Sequence, residues 1–157
     1  MTIIERPVRR ANTLTGLAII LLPVVALAVK FITPGWMLVI LFYGGILLAA
    51  LYVFLVVMAA SGFFGRRAAF SFVPSVRGRI AGLAHGFGVL LFMASIPDGG
   101  DTGEWSSPII TVFGLDRDAF GSTTEALTGV GLVVAVVGYL WFVVEWAIAL
   151  RVKRRLV

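Results

Sequence analysis

No cysteine occurs in this 157-residue chain, and only one histidine. The first absence excludes disulfides, thiol redox relays and thiolate metal sites. The second excludes the histidine clusters that hold haem or a catalytic metal. Charge is scarce too: Asp, Glu, Lys and Arg make up 13% of the residues, well short of a soluble domain's usual share. Lysine is nearly missing, with two against eleven arginines. That bias, with abundant Ala, Gly and Val, matches a GC-rich bacterial genome. The compartment it suggests is a bacterial cytoplasmic membrane.

What fills the chain is apolar. Hydrophobic residues make up 60% of it, and they gather in four runs, residues 13–32, 36–62, 80–96 and 126–150. A bilayer core of about 30 Å needs about 20 helical residues, so three runs span comfortably. The third has only 17 residues and contains His85. Parity supports it. Without that crossing, the basic stretch Arg151, Lys153, Arg154 and Arg155 would be exported together with its charge.

The charges between the runs alternate in sign. Arg6, Arg9 and Arg10 precede the first run, Arg66, Arg67, Arg77 and Arg79 separate the second and third, and four basic residues follow the fourth. The segment between the third and fourth is acidic: Asp98, Asp101, Glu104, Asp116, Asp118 and Glu125 against Arg117. The two sides then carry +10 and −4, with Glu145 inside the fourth run completing the net +5. Segregation of this kind is what the positive-inside rule demands. The expected fold is therefore all-α: an integral membrane four-helix bundle forming a single transmembrane domain over 1–157, with both termini cytoplasmic. Its helices are expected at about 13–32, 36–62, 80–96 and 123–150, its cytoplasmic loop at 63–79 and its extracytoplasmic loop at 97–122. The basic excess reads as contact with anionic lipid headgroups, not nucleic acid.

Local chemistry refines this outline. Residues 1–28 have signal-peptide features, with Ala26-Leu27-Ala28 as a small-residue site, but the apolar run continues through Ile32, so an uncleaved anchor is expected. Pro23 kinks the first helix. Lys30 at its outer end is expected to snorkel to the headgroups. Thr33-Pro34-Gly35 makes a tight turn into Trp36. In the cytoplasmic loop, aromatic residues alternate with Arg66, Arg67, Arg77 and Arg79, which suits rings in the acyl boundary and guanidinium groups on lipid phosphates. In the outer loop, Ser107-Pro108 starts a short interfacial helix, and Ser122 with Glu125 has the capping-box spacing that starts the fourth span.

Two ionisable groups other than tyrosine stand inside the spans. His85 lies six residues past Arg79 and Glu145 six before Arg151, so both are expected about 9 Å from the cytoplasmic boundary, as an intramembrane polar pair. Gly78, Gly82 and Gly86 form a small-residue face on the third helix, and Gly131, Ala135 and Gly138 a second on the fourth, both suited to close helix packing. Tyr43, Tyr52 and Tyr139 are expected to pack and hydrogen-bond within the bundle. Enzyme templates fit poorly. Every aspartate is in the outer loop, and a Ser–His–acid hydrolase finds only Ser61 at the right depth. The run from Asp98 to Glu104 fails the EF-hand template at Gly100, Thr102 and Ile109. The expectation is thus an accessory or assembly subunit of a membrane complex, multi-pass in an anionic bilayer, partnered by other membrane subunits or by itself, without catalytic activity, metal or cofactor. The alternative is a small proton-coupled transporter or channel using His85 and Glu145.

Overall fold

The computed structural model describes residues 5–64, 75–99 and 105–155. Among them are α1 (Glu5–Lys30), α2 (Trp36–Tyr43), α3 (Gly45–Ala59) prolonged by a π-helical turn (Ala60–Phe64), α4 (Val76–Ser95), α5 (Pro108–Phe113) and α6 (Arg117–Arg155). A two-stranded antiparallel ribbon pairs Asp98 with Ser106 and Gly99 with Trp105. Among the described residues the protein is all-α apart from that ribbon. Four helical segments are long and apolar enough to cross a membrane: Asn12–Lys30, Gly45–Phe64, Val76–Ser95 and Arg117–Val152.

Caps and breaks follow from local chemistry. Ser75 caps α4, its hydroxyl accepting from the Gly78 N–H at 2.9 Å. α4 stops at Ser95 because Ile96, which precedes Pro97, is held in an extended conformation. Ser107 caps α5 with Pro108 in its first turn, and Gly114, at a φ of 59° open mainly to glycine, closes it. α6 begins at Arg117 rather than after Ser122. Asp116 is the effective cap, since its Oδ1 accepts from the N–H groups of Asp118 (2.8 Å) and Ala119 (2.9 Å). Ser122 then falls inside the helix. The second span is also interrupted, at Gly44, whose N–H still bonds Ile40 O.

α4 is the central helix, flanked by α1 and α6. Its contact with α6 is backbone to backbone. A Cβ on Gly131 would lie 2.6 Å from Phe92 N, and one on Gly138 would lie 2.5 Å from His85 N. Gly88 meets Ala135 in the same way. On the adjoining face of α4, Gly82 takes Ile19 and Gly86 takes Leu22, both from α1. Gly78 lies beside the Cβ of Glu145. The buried core (Ile19, Leu55, Met58, Ala59, Phe63, Ala81 and Phe142) joins all four spans at the end carrying Arg77, Arg79 and Arg151, here called the basic end. The other, acidic, end carries Asp98 and Asp116.

The second span is packed only in part. Leu55, Met58 and Ala59 are buried, whereas α2 buries nothing and the residues from Ile46 to Leu51 are all exposed. Tyr43 is 84% exposed, so of the three tyrosines only Tyr52 and Tyr139 pack in the bundle.

Candidate functional site

Polar side chains collect at three levels. At the basic end, Glu145 accepts from Ser75 Oγ (2.8 Å, to Oε2) and Trp141 Nε1 (3.3 Å, to Oε1). The carboxylate therefore sits at the N-terminus of α4, where the helix dipole favours an anion. The next residue, Trp146, donates from Nε1 to Ser61 Oγ at 3.0 Å, and Ser61 donates on to Met58 O at 2.9 Å. The Trp146 ring meets Phe54 edge-on at 5.6 Å. Arg77 is exposed; Arg79 is half-buried, with its Nε unpaired among the described residues. Arg66 and Arg67, expected beside them, lie outside the described residues.

At mid-height, His85 Nδ1 donates to Ala135 O at 2.9 Å. The acceptor is a carbonyl, so Nδ1 must carry the hydrogen. The imidazole stacks edge-on to Tyr139, ring centres 5.2 Å apart, and Tyr139 OH donates to Leu51 O at 3.2 Å. On the other side of the bundle, Tyr52 OH donates to Ile20 O at 3.0 Å. That carbonyl is next to Ile19 O, which Pro23 leaves without its helical N–H donor.

The expected His85–Glu145 contact is not formed. His85 is level with Ala135–Tyr139, whereas Glu145 is level with Ser75–Gly78. Seven residues of α6 between Gly138 and Glu145 correspond to about 10 Å along the axis. Depth counted from Arg79 places His85 too near the basic end, because α4 begins at Val76 and the first arginines ride inside it.

At the acidic end a feature appears that sequence reasoning missed. Lys30 is not snorkelling. It is fully buried, its Nζ 3.1 Å from Asp98 Oδ2 and donating to Ile96 O at 3.3 Å. Asp98 Oδ1 accepts the Met37 N–H at 3.0 Å. Gly35 lies directly on this carboxylate: a Cβ there would be 2.5 Å from Oδ1 and 2.7 Å from Gly99 O. Asp98 is therefore committed to the α1–α2 turn and is not a free ligand for a cation. A signal was present in the chain: a lone lysine ending the first span, and an aspartate two residues after the third. Beneath this layer, Thr128 Oγ1 donates to Thr124 O at 2.8 Å and lies 3.3 Å from the buried Ser95 Oγ, which donates to Leu91 O at 2.6 Å.

Among the described residues, no three His, Asp or Glu side chains converge as a metal site. The arrangement offers two structural locks at the ends and one histidine with a nitrogen to spare between them. No protein family matches the chain, and neither the curated proteins nor the solved structures return a match.

Proposed function

We propose that this is an accessory or assembly subunit of a membrane complex, multi-pass in a bacterial cytoplasmic membrane. On this reading the basic end faces the cytoplasm, and Arg77, Arg79 and Arg151 meet anionic headgroups. The observation that carries it is α6. At 1.5 Å per residue its 39 residues extend about 58 Å, far beyond a bilayer core of about 30 Å. Its buried residues form one stripe through Gly121, Thr124, Gly131, Ala135, Gly138 and Phe142. The face through Val130, Val133 and Val137 is open, and Gly129 beside it has nothing near its missing side chain. A glycine that packs on nothing weakens a helix, yet it suits close approach by another transmembrane helix. The transporter alternative depends on a His85–Glu145 pair that is not formed, and it is not proposed.

A photo-crosslinking residue at Val133, on the exposed side of α6, tests the reading. In native membranes it should give one discrete adduct with a second polypeptide. The same residue at buried Phe142 should not. Adducts with lipid alone from Val133 would remove the basis of the proposal.

A further inference from the structure

The sequence of the first span and its place in the fold pull in opposite directions. Arg6, Arg9 and Arg10, the apolar stretch from Leu14 to Leu22, and the small residues Ala26 and Ala28 follow the order of a signal peptide. The bond such a peptide offers for cleavage is Ala28–Val29. Pro23 interrupts the hydrogen bonding of α1 just before it. A peptidase takes its substrate as an extended strand, in which alternate side chains such as those of Ala26 and Ala28 point the same way. In α1 they point apart: Ala26 is fully buried, whereas Ala28 is exposed. The helix also runs on past the bond, with Phe31 N–H donating to Ala28 O and Thr33 N–H to Lys30 O, both at 3.2 Å. The bond is therefore closed to a peptidase until the last turns of α1 unwind.

Unwinding is opposed by the stripe of α1 that faces α4. Ile19 packs at Gly82 and Leu22 at Gly86, and Lys30 donates to Ile96 O just past the end of α4. Ala26 stands four residues from both Leu22 and Lys30, so it lies on the same stripe. Lys30 is two residues beyond the bond and fully buried on Asp98. Extending the chain around Ala28 draws Lys30 away and leaves a buried carboxylate without its counter-charge, which is costly. Asp98 comes from the segment that follows α4. The restraint thus exists only once the third span has docked on the first.

We propose that Ala28–Val29 is a latent processing site for a membrane signal peptidase, guarded by the Lys30–Asp98 pair and cut in chains where that pair has not formed. The step is hydrolysis. The C–N bond breaks, water gives its hydroxyl to the Ala28 carbonyl carbon and a hydrogen to the Val29 nitrogen, and proton transfer leaves a carboxylate and an ammonium group. The cut removes the part of α1 that carries Ile19 into the core. The site rests on the orientation proposed above, with the acidic end on the outer side where such peptidases act.

The full chain purified from membranes should retain residues 1–28 by intact mass, and stay whole when incubated in detergent with a purified bacterial signal peptidase. Asp98→Asn, remote in sequence from the bond, should be cut faster by on the order of tenfold or more, because cleavage follows the population of the opened form. Its product should begin at Val29, and adding Ala28→Phe should abolish the cut. Should Asp98→Asn not fold, Gly35→Ala, which displaces the turn from Asp98, should expose the same bond. Phe142→Ala loosens the core at the other end and, compared at an equal unfolded fraction, should stay whole. Wild-type protein that already begins at Val29, resistance of both opened variants, equal cutting of Phe142→Ala, or a cut indifferent to Ala28→Phe would each overturn the proposal. Both ends are accessible in detergent, so those results bear on the site alone. Labelling of a cysteine at Ser75 from outside intact cells would instead overturn the orientation, and the site with it.

Discussion

Lys30 and Asp98 meet as a buried ion pair, Nζ to Oδ2 at 3.1 Å, across 68 positions of sequence. Each member has a further partner. Lys30 also donates to Ile96 O, and Asp98 also accepts from Met37 N–H, so one contact ties the end of α1, the start of α2 and the exit of α4. Removing one member strands the other as a buried, unpaired charge, which typically costs about 3–5 kcal/mol, whereas removing both costs far less. Lys30→Met and Asp98→Asn should each lower the thermal midpoint in detergent markedly, and Lys30→Met with Asp98→Leu should recover much of the loss. Equal losses in single and double variants would show that the pair contributes only as separate polar contacts.

Gly35 belongs to the same lock. Its missing side chain lets the α1–α2 turn rest on the Asp98 carboxylate. Gly35→Ala should therefore push the turn off Asp98 and cost about 1–3 kcal/mol by overpacking. Gly129→Ala is the control. That glycine meets nothing, so alanine should be neutral or stabilise by up to about 1 kcal/mol through helix propensity. Detergent unfolding of the two variants side by side gives opposite signs if the close approach at Gly35 is real.

The fold class was legible because it rests on quantities local in sequence. Apolar run length sets four spans, and Ser107 followed by Pro108 sets the short helix α5. What escaped was set by contacts or by competition between local signals. Asp116 outcompeted Ser122 as the cap because its carboxylate reaches two free N–H groups at once. The break at Gly44 is invisible in a run that is apolar on all sides. Lys30 looked like a headgroup anchor because snorkelling needs only the residue's position, whereas an ion pair needs a partner brought by another helix. His85 and Glu145 were placed level by assuming that arginines mark the helix ends. α4 instead starts before its arginines, and the two side chains stand about two turns apart along α6.

The charge pattern predicts a topology that is directly measurable. With the basic end in the cytoplasm, a cysteine at Gly114 or Arg117 should react with an impermeant maleimide added to intact cells, and one at Ser75 or Val152 should react only after lysis. The chain contains no native cysteine, so the background is clean. Labelling at Ser75 from outside would invert or break the four-span arrangement.

The separation of His85 from Glu145 carries its own test. Glu145 draws its stability from Ser75 Oγ and Trp141 Nε1, and His85 from Ala135 O and the Tyr139 ring. Neither network contains a member of the other. Glu145→Gln should keep an acceptor for both donors and cost little, while His85→Ala should lose a hydrogen bond and a ring contact, on the order of 1 kcal/mol in a membrane interior. Residues with no shared partner add to within about 0.3–0.5 kcal/mol. The double variant should therefore lose the sum of the two, measured by unfolding in the same detergent. A coupling well above that margin would mean that the two residues communicate, and would restore the polar pair on which a proton-conducting role depends. Additivity, together with unchanged proton permeability of proteoliposomes for either single variant, leaves Glu145 as the anchor of the α4 N-terminus and His85 as a separate contact with Ala135 and Tyr139.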